Sequence, residues 1–163
     1  MKKCIITDSC QLIMELKWCY NLQNISNDII YMLLEEAQIL YHSLKRILKQ
    51  FYIMRVYCVG SMARREKNVE DIDLITADPI LGTNMKYVRF KYEGVYVDIW
   101  RINDVQFAKC IRSFNKTDSI ALRSIAKKRG YKLNDDGLFF GDKRIEVKNK
   151  RDLLRILGIH HIK

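Results

Sequence analysis

The chain has 163 residues, a hydrophobic fraction of 48% and a formal net charge of +10. This composition is typical of one globular domain or of two small subdomains, and it excludes a disordered tail. No run approaches the roughly 20 apolar residues of a membrane-spanning helix, and the first apolar run is too short for a signal peptide. We expect a soluble protein of the cytoplasm or nucleus, or of a virion if the source is viral.

The positive charge is concentrated in the C-terminal third of the chain. Residues 101–163 contain 16 Lys/Arg against 7 Asp/Glu, whereas residues 1–100 contain 13 against 12. A polyanionic partner held by the basic segment would explain this distribution. A solvated lysine-rich surface explains the charge equally well.

The five cysteines show no metal-binding or redox spacing; they are Cys4, Cys10, Cys19, Cys58 and Cys110. Their odd number does not indicate a complete disulfide framework. The last two lie in apolar surroundings and are predicted to be small buried hydrophobes. A disulfide or an oxidation sensor among the first three is the alternative, although thiols inside cells normally stay reduced.

Two helices are predicted in the first fifty residues. The first covers residues 9–22, with Leu12, Leu16 and Cys19 at helical spacing. The second runs from Asn27 to Lys49, with Ser26 or Asn27 as its N-cap. Its apolar stripe, which we interpret as core packing, consists of Ile29, Leu33, Ala37, Leu40, Leu44 and Leu48.

In the middle of the chain, apolar and polar residues alternate in the pattern typical of β-strands. A strand over Arg55–Val59 ends at Gly60-Ser61, and a short helix through Met62–Glu66 leads to a strand over Asp71–Thr76. Strands over Tyr87–Tyr92 and Val95–Trp100 flank Glu93-Gly94 and form a hairpin. We predict a mixed or antiparallel sheet backed by helices.

The last third follows a subdomain boundary near residue 105. After a connecting segment, a helix is predicted over residues 118–129, with Gly130 beyond its end. A hairpin in YKLNDDGLFF and KRIEV follows, and a closing helix over Lys150–Leu157 stops at Gly158. The predicted class is therefore α+β.

Three aspartates stand in strand-like segments: Asp71 and Asp73 in VEDIDLI, and Asp98 in VYVDIW. Alternation puts the first two on one strand face and Ile72 on the other. Converging carboxylates suit two Mg²⁺ ions, because hard cations prefer oxygen ligands. The alternative, loop caps plus a surface ion pair, does not explain an aspartate amid apolar strand residues, since burying an unpaired carboxylate is costly.

A phosphate-binding turn is predicted just before these strands. Gly60 lets a phosphate approach the backbone closely, and Ser61 adds a hydroxyl beside the N–H groups of a helix start. Arg64 and Arg65 can neutralise phosphate charge, each in bidentate fashion. A Gly-Ser pair alone is weak evidence for a phosphate site. A Gly-Ser turn eleven residues before Asp71, combined with the three aspartates, is much more specific.

The chain resembles the nucleotidyltransferases of the DNA polymerase β superfamily and, within it, the family X DNA polymerases. The resemblance runs through ISNDIIYMLLEEAQ, CVGSMARREKNVEDIDLI and YVDIW, and resumes at SFNKTD, SIAKKRGYKLNDDGLF and DLLRILGI. It implies an unassigned extension over residues 1–24, a nucleotidyltransferase palm over 25–105 and a small basic α/β thumb over 106–163. The likeness is closest to a reduced viral form built from palm and thumb alone, without a lyase domain.

The resemblance also implies the roles of single residues. Asp71 and Asp73 would bind both Mg²⁺ ions, for which Mn²⁺ can substitute, and Asp98 the catalytic one. Gly60, Ser61 and Arg64 would hold the triphosphate. The implied contacts in the thumb are Phe114 under the incoming sugar, Arg123 at the template strand, and Lys127, Lys128 and Arg129 at phosphates.

Several positions depart from the family's pattern. Ser113 replaces the usual tyrosine before Phe114, which puts discrimination against ribonucleotides in doubt. Glu70 stands where relatives often have glycine, and no arginine opens the helix predicted over Asn27–Lys49. Low fidelity is the expectation.

The implied function is that of a monomeric, template-directed DNA polymerase. It would add deoxynucleoside triphosphates to a primer 3′-end at short DNA gaps, as in DNA repair, without a membrane partner. Two alternatives stay open: an untemplated nucleotidyltransferase with the same three aspartates, and an inactive DNA-binding factor on the same scaffold.

Overall fold

The computed structural model describes residues 32–80 and 84–159 of the chain. The chain divides into two compact units, Met1–Arg101 and Ile102–Lys163. The strands are β1 (Met32–Leu33), β2 (Val56–Cys58), β3 (Asn68–Val69), β4 (Asp71–Thr76), β5 (Tyr87–Tyr92), β6 (Val95–Arg101), β7 (Tyr131–Asn134), β8 (Gly137–Phe140) and β9 (Lys143–Ile145). The helices are α1 (Leu34–Gln50), α2 (Gly60–Ala63), α3 (Val105–Arg112), α4 (Lys116–Lys128) and α5 (Lys150–Ile156). The helix predicted over residues 9–22 and the first three cysteines lie outside the described residues.

The N-terminal unit is built on a mixed four-stranded sheet in the order β2-β4-β6-β5. Strands β4 and β6 are parallel, whereas the outer pairs are antiparallel. The predicted hairpin is confirmed: Glu93 and Gly94 both have positive φ, at 49° and 81°, which suits a two-residue turn between twisted strands. One sheet face packs against α1 in a single hydrophobic cluster that includes Leu44, Leu48 and Ile72.

The N-terminal end of α1 differs from the prediction. Met32 and Leu33 are not helical but pair antiparallel with β3 as strand β1. The helix begins at Leu34, where the Glu36 carboxylate accepts a hydrogen bond from the Leu33 N–H at 2.9 Å. Helical spacing alone could not reveal this start, because the partners of Met32 and Leu33 are Val69 and Asn68, which lie 37 and 35 residues further on. The predicted N-cap at Ser26 or Asn27 lies outside the described residues.

The described members of the apolar stripe beyond Leu33 pack as predicted, whereas Ile29 lies outside the described residues. Ala37, Leu44 and Leu48 are buried, and Leu40 packs against the same cluster at partial burial. Leu33, which was predicted to belong to the stripe, is 53% exposed, so this part of the prediction is wrong. The stripe is therefore core, and its inner members hold α1 on the sheet.

Helix α2 is earlier and shorter than predicted. It covers Gly60–Ala63 instead of Met62–Glu66, and Arg64 closes it with a hydrogen bond from its N–H to the Gly60 carbonyl at 3.1 Å. Arg65 then adopts a φ of 59°. A left-handed residue cannot continue a right-handed helix, so the helix ends there.

The C-terminal unit contains a helix, α3, where the sequence predicted only a connecting segment. Asp104 caps it by accepting a hydrogen bond from the Phe107 N–H at 2.9 Å. Phe107, Ala108 and Ile111 are its buried face. An N-cap residue followed by apolar positions at helical spacing was the signal that could have revealed this helix.

The remaining elements of this unit agree with the prediction. Helix α4 starts at Lys116, two residues early, because Asn115 caps it by accepting from the Asp118 N–H at 2.8 Å. Strands β7, β8 and β9 form an antiparallel sheet, and α5 ends just before Gly158. The core of the unit is a cluster of Phe107, Ile111, Phe114, Leu122, Ala126, Leu133, Leu138, Leu153 and Leu157. Over the part of the chain that the structure describes, no helix has both the length and the apolar character needed to cross a membrane.

Candidate active site

The three predicted carboxylates converge at the centre of the mixed sheet. The parallel register of β4 and β6 sets Asp73 directly opposite Asp98 and Asp71 opposite Tyr96. One ligand oxygen from each aspartate lies within 4.8 Å of the other two. Asp98 is only 7% exposed, and the side chains of the other two are partly buried. Strand alternation and strand register together therefore build the cluster.

Gly60 is the backbone element that makes room for Asp73. Its φ is +69°, and a Cβ atom at this position would overlap Oδ2 of Asp73. The preceding Val59 N–H donates to the Asp73 carbonyl at 2.9 Å, which ties the start of α2 to β4. A glycine is required on both counts: the left-handed conformation and the close approach.

Two residues of β5, the strand next to β6, contact the carboxylates. The Arg89 guanidinium lies 3.4 Å from Oδ1 of Asp98 through Nε and 3.6 Å from Oδ2 of Asp71. The Tyr87 hydroxyl donates a hydrogen bond to Oδ1 of Asp98 at 2.8 Å. Both contacts with Asp98 use the same oxygen, so they fix the orientation of that carboxylate.

Electrostatics at the cluster favour a bound cation. Burial, followed by the negative charge of Asp98, raises the pKa of Asp71 above its ordinary value, and Arg89 only partly opposes the rise. Burial and then the hydrogen bond to Asp98 raise the pKa of Tyr87. Burial and then the charge of Asp73 raise the pKa of the Cys58 thiol to about 12, so this thiol is neutral. A divalent cation would relieve the repulsion among the carboxylates.

The donor set fits hard divalent cations. Three carboxylates offer only oxygen atoms, which Mg²⁺, Mn²⁺ and Ca²⁺ accept as ligands. The neutral Cys58 thiol is a poor competitor for such ions, because metals bind the thiolate. Cys58 and Cys110 are free and partly buried, less completely than predicted.

The predicted phosphate-binding residues lie at and just after the start of α2. Ser61 is in the first turn and is partly buried. Arg64 caps the helix, and its Nε lies 2.7 Å from Oε1 of Glu66. Both stand next to Gly60, on the segment that leads into β4, so the turn and the carboxylates belong to one local arrangement.

The remaining predicted site residues belong to the C-terminal unit. Phe114 is 2% exposed, and Nζ of Lys150 lies 4.0 Å from its ring centroid. Arg123, on α4, is 3.9 Å from the Asp135 carboxylate and has a half-exposed side chain. The exposed cations at the end of α4 are Lys127, Lys128 and Arg129. Their roles in binding nucleotide or DNA stay predictions.

Arg89 and Tyr87 are the functional candidates that sequence reasoning missed, although the sequence contained the signal. A two-residue turn at Glu93-Gly94 fixes the register of the hairpin. That register pairs Arg89 with Asp98 and Tyr87 with Trp100. Because paired residues project to the same face, a cation beside the carboxylate followed from the predicted hairpin.

The fold and the cluster together define a candidate site for divalent cations and phosphates on an α+β scaffold. The family model described as DNA polymerase beta thumb matches residues 114–163. No curated protein sequence matches the chain.

Two solved structures show the fold. The ternary P/T complex of Leishmania infantum polymerase beta has a TM-score of 0.63 at 18% identity, covering 98% of this chain and 82% of that one. The ternary gap complex of the same polymerase has a TM-score of 0.63 at 17% identity, covering 98% and 75%. The predicted α+β fold class is thereby confirmed, and the fold is similar to that of polymerase beta.

Proposed function

We propose that this chain is a family X DNA polymerase that adds deoxynucleotides to a primer 3′-end under the direction of a template. The observation that carries the proposal is the convergence of Asp71, Asp73 and Asp98 on adjacent strands. The thumb match over residues 114–163 supports a nucleic acid as the partner, as does the positive charge of that segment. The two Leishmania polymerase beta structures of similar fold are a ternary P/T complex and a ternary gap complex.

We assign different roles to the three carboxylates. Asp71 and Asp73 would hold both Mg²⁺ ions, and Asp98 the ion beside the primer. When bound, such ions activate a hydroxyl nucleophile and stabilise charge on phosphate oxygens. Asp98 would accept the proton of the primer 3′-hydroxyl, directly or through water. Tyr87 keeps its carboxylate oriented for that transfer.

Gly60, Ser61 and Arg64 would hold the triphosphate of the incoming nucleotide. The backbone at Gly60 allows close approach, Ser61 offers a hydroxyl, and Arg64 offers positive charge. Phe114 is the proposed contact for the sugar. Since its ring is 2% exposed beneath Lys150, that contact requires the ring or the lysine to move.

The DNA itself would be held by Arg123 at the template strand and by Lys127 and Lys128 at phosphates. Phosphate contacts give affinity without reading sequence. We propose short gaps in repair as the substrate, with the chain acting as a monomer. Within the family, the proposed likeness is to the reduced palm-and-thumb polymerase of African swine fever virus.

Primer extension on a one-nucleotide gap tests the proposal. Each deoxynucleotide is offered separately with Mg²⁺, to wild type and to Asp98→Asn. Glu35→Gln, which neutralises an exposed carboxylate on α1, is the matched control. We expect incorporation that follows the template in wild type and control, and a loss of at least ~1,000-fold in Asp98→Asn.

Other outcomes would overturn parts of the proposal. Addition regardless of the template base would identify an untemplated nucleotidyltransferase. DNA binding without any addition would identify a DNA-binding factor. Near-normal extension by Asp98→Asn would refute the carboxylate mechanism itself.

A further inference from the structure

Arg89, Asp98 and Asp73 form a row across three neighbouring strands. Asp98 on β6 pairs with Arg89 on β5 and with Asp73 on β4. Paired side chains on one face stand about 5 Å apart at their Cβ atoms. The sheet therefore carries a cation in line with the two carboxylates at its centre.

The guanidinium bridges two of the three carboxylates. Its Nε lies 3.4 Å from Asp98 and its terminal nitrogen 3.6 Å from Asp71. One oxygen of each carboxylate lies within 4.8 Å of the other two. Arg89 thus supplies part of the positive charge that the cluster needs, in the same region as the proposed metal site.

Arg89 also has a second contact that does not involve the carboxylates. Its guanidinium carbon lies 4.6 Å from the ring centroid of Tyr96, which is 44% exposed. The Arg89 side chain itself is 46% exposed, compared with 10% for that of Asp98. A guanidinium stacked on an exposed ring keeps a favourable contact after it leaves a carboxylate.

We propose that Arg89 is a built-in counter-ion that competes with divalent cations for the carboxylate cluster. Without metal it partly offsets the repulsion between Asp71 and Asp98. A metal ion must displace it toward Tyr96, so Arg89 weakens metal affinity while it stabilises the metal-free fold. This inference rests on the proposed function only in that the cluster is taken to bind metal.

Lys91 provides a matched control on the same strand face. Its Nζ lies 4.8 Å from the ring centroid of Tyr96, so both cations stack on one ring. Within residues 32–80 and 84–159, Lys91 forms no ion pair with the three aspartates. Replacing Lys91 removes a nearby positive charge without removing a bridge between carboxylates.

Mn²⁺ binding measured by electron paramagnetic resonance tests the proposal without nucleotide, DNA or turnover. A single charge about 6 Å from a divalent ion in a solvated cleft changes affinity by roughly tenfold. We expect Arg89→Met to bind Mn²⁺ roughly tenfold more tightly than wild type. Arg89→Lys, which keeps the charge, and Lys91→Met should each change the dissociation constant by less than about threefold.

Thermal unfolding gives a second readout of the same competition. In a chelator, Arg89→Met should melt below wild type, because the carboxylates lose their counter-ion. The rise in melting temperature on adding Mn²⁺ should be larger for this variant than for wild type, because ligand binding to the folded state is tighter. Lys91→Met should show neither change.

The outcomes separate this inference from the proposed function. Equal Mn²⁺ affinity in wild type and Arg89→Met would overturn the counter-ion role and leave the polymerase proposal standing. Tighter binding in Arg89→Met together with no primer extension by wild type would support the counter-ion and refute the polymerase. If wild type showed no saturable Mn²⁺ binding, or if Asp98→Asn did not abolish that binding, both the counter-ion role and the polymerase proposal would be overturned.

Discussion

The substitution Gly60→Ala separates backbone strain from displacement of a carboxylate. Gly60 has a φ of +69°, and its added Cβ would overlap Oδ2 of Asp73 and approach Cβ and Cγ of that residue to 3.0 Å. Gly141, in the C-terminal unit, has a φ of +58°, with nothing within 4 Å of the added Cβ. Gly141→Ala is therefore a control with similar left-handed strain and no clash.

The two variants should lose similar stability from strain alone. A residue with a Cβ in the left-handed region costs about 1–2 kcal/mol relative to glycine. Gly60→Ala should lose more than this, because Asp73 must also move. The Asp73 backbone is held by the hydrogen bond from Val59 at 2.9 Å, so the side chain has to turn away instead.

The effect on function should differ much more than the effect on stability. A displacement of about 1 Å in a catalytic arrangement can reduce the rate by roughly 100-fold. We expect Gly60→Ala to lose at least this factor in primer extension and to bind Mn²⁺ more weakly, whereas Gly141→Ala stays within about twofold of wild type. Urea unfolding of both variants measures the strain. If the two variants had the same rate and the same Mn²⁺ affinity, the close approach of Gly60 to Asp73 would not matter, and this reasoning would be refuted.

Two further predictions concern the carboxylates and their hydroxyl partner. Tyr87→Phe keeps the ring beside Trp100 but removes the hydrogen bond to Asp98. Because Tyr87 is 36% exposed, we expect the low end of the range for a charged hydrogen bond, which is a roughly tenfold lower rate of nucleotide addition. An unchanged rate in single-turnover primer extension would contradict the orienting role. The pKa of Asp71 is higher in the folded state than in the unfolded state. Wild type therefore loses stability relative to a variant with a neutral side chain as the pH rises from the unfolded pKa through the folded pKa. Without metal, Asp71→Asn should therefore be more stable than wild type at pH 7, with the advantage vanishing below about pH 4. Thermal melts in a chelator across this pH range check the sign, and a less stable Asp71→Asn at pH 7 would contradict it.

The centre of the site was predictable because strands impose strict rules on side-chain direction. Alternation in VEDIDLI put Asp71 and Asp73 on one face, and β4 has the predicted bounds, Asp71–Thr76. The hairpin before Trp100 was equally clear, because Glu93-Gly94 is a turn flanked by alternating residues. These signals are local, so a sequence contains them in full.

The parts that failed depend on distant pairing or on single dihedral angles. Strand β1 exists because Met32 and Leu33 find β3 far along the chain, and no local pattern reports that partner. Helix α2 ends where Arg65 takes a positive φ, which arginine rarely adopts. Helix α3 is a different case, since the cap at Asp104 was legible and was overlooked.

The anions and the cation of this site are positioned by separate parts of the fold. The parallel pairing of β4 with β6 brings Asp73 and Asp98 together, and β5 takes no part in that pairing. The register of the hairpin alone places Arg89 beside Asp98. A one-residue change in the Glu93-Gly94 turn would move Arg89 to the opposite face and leave the three carboxylates in place. If Arg89 competes with metal ions as proposed, a change in the hairpin alters metal affinity without any change in the ligands.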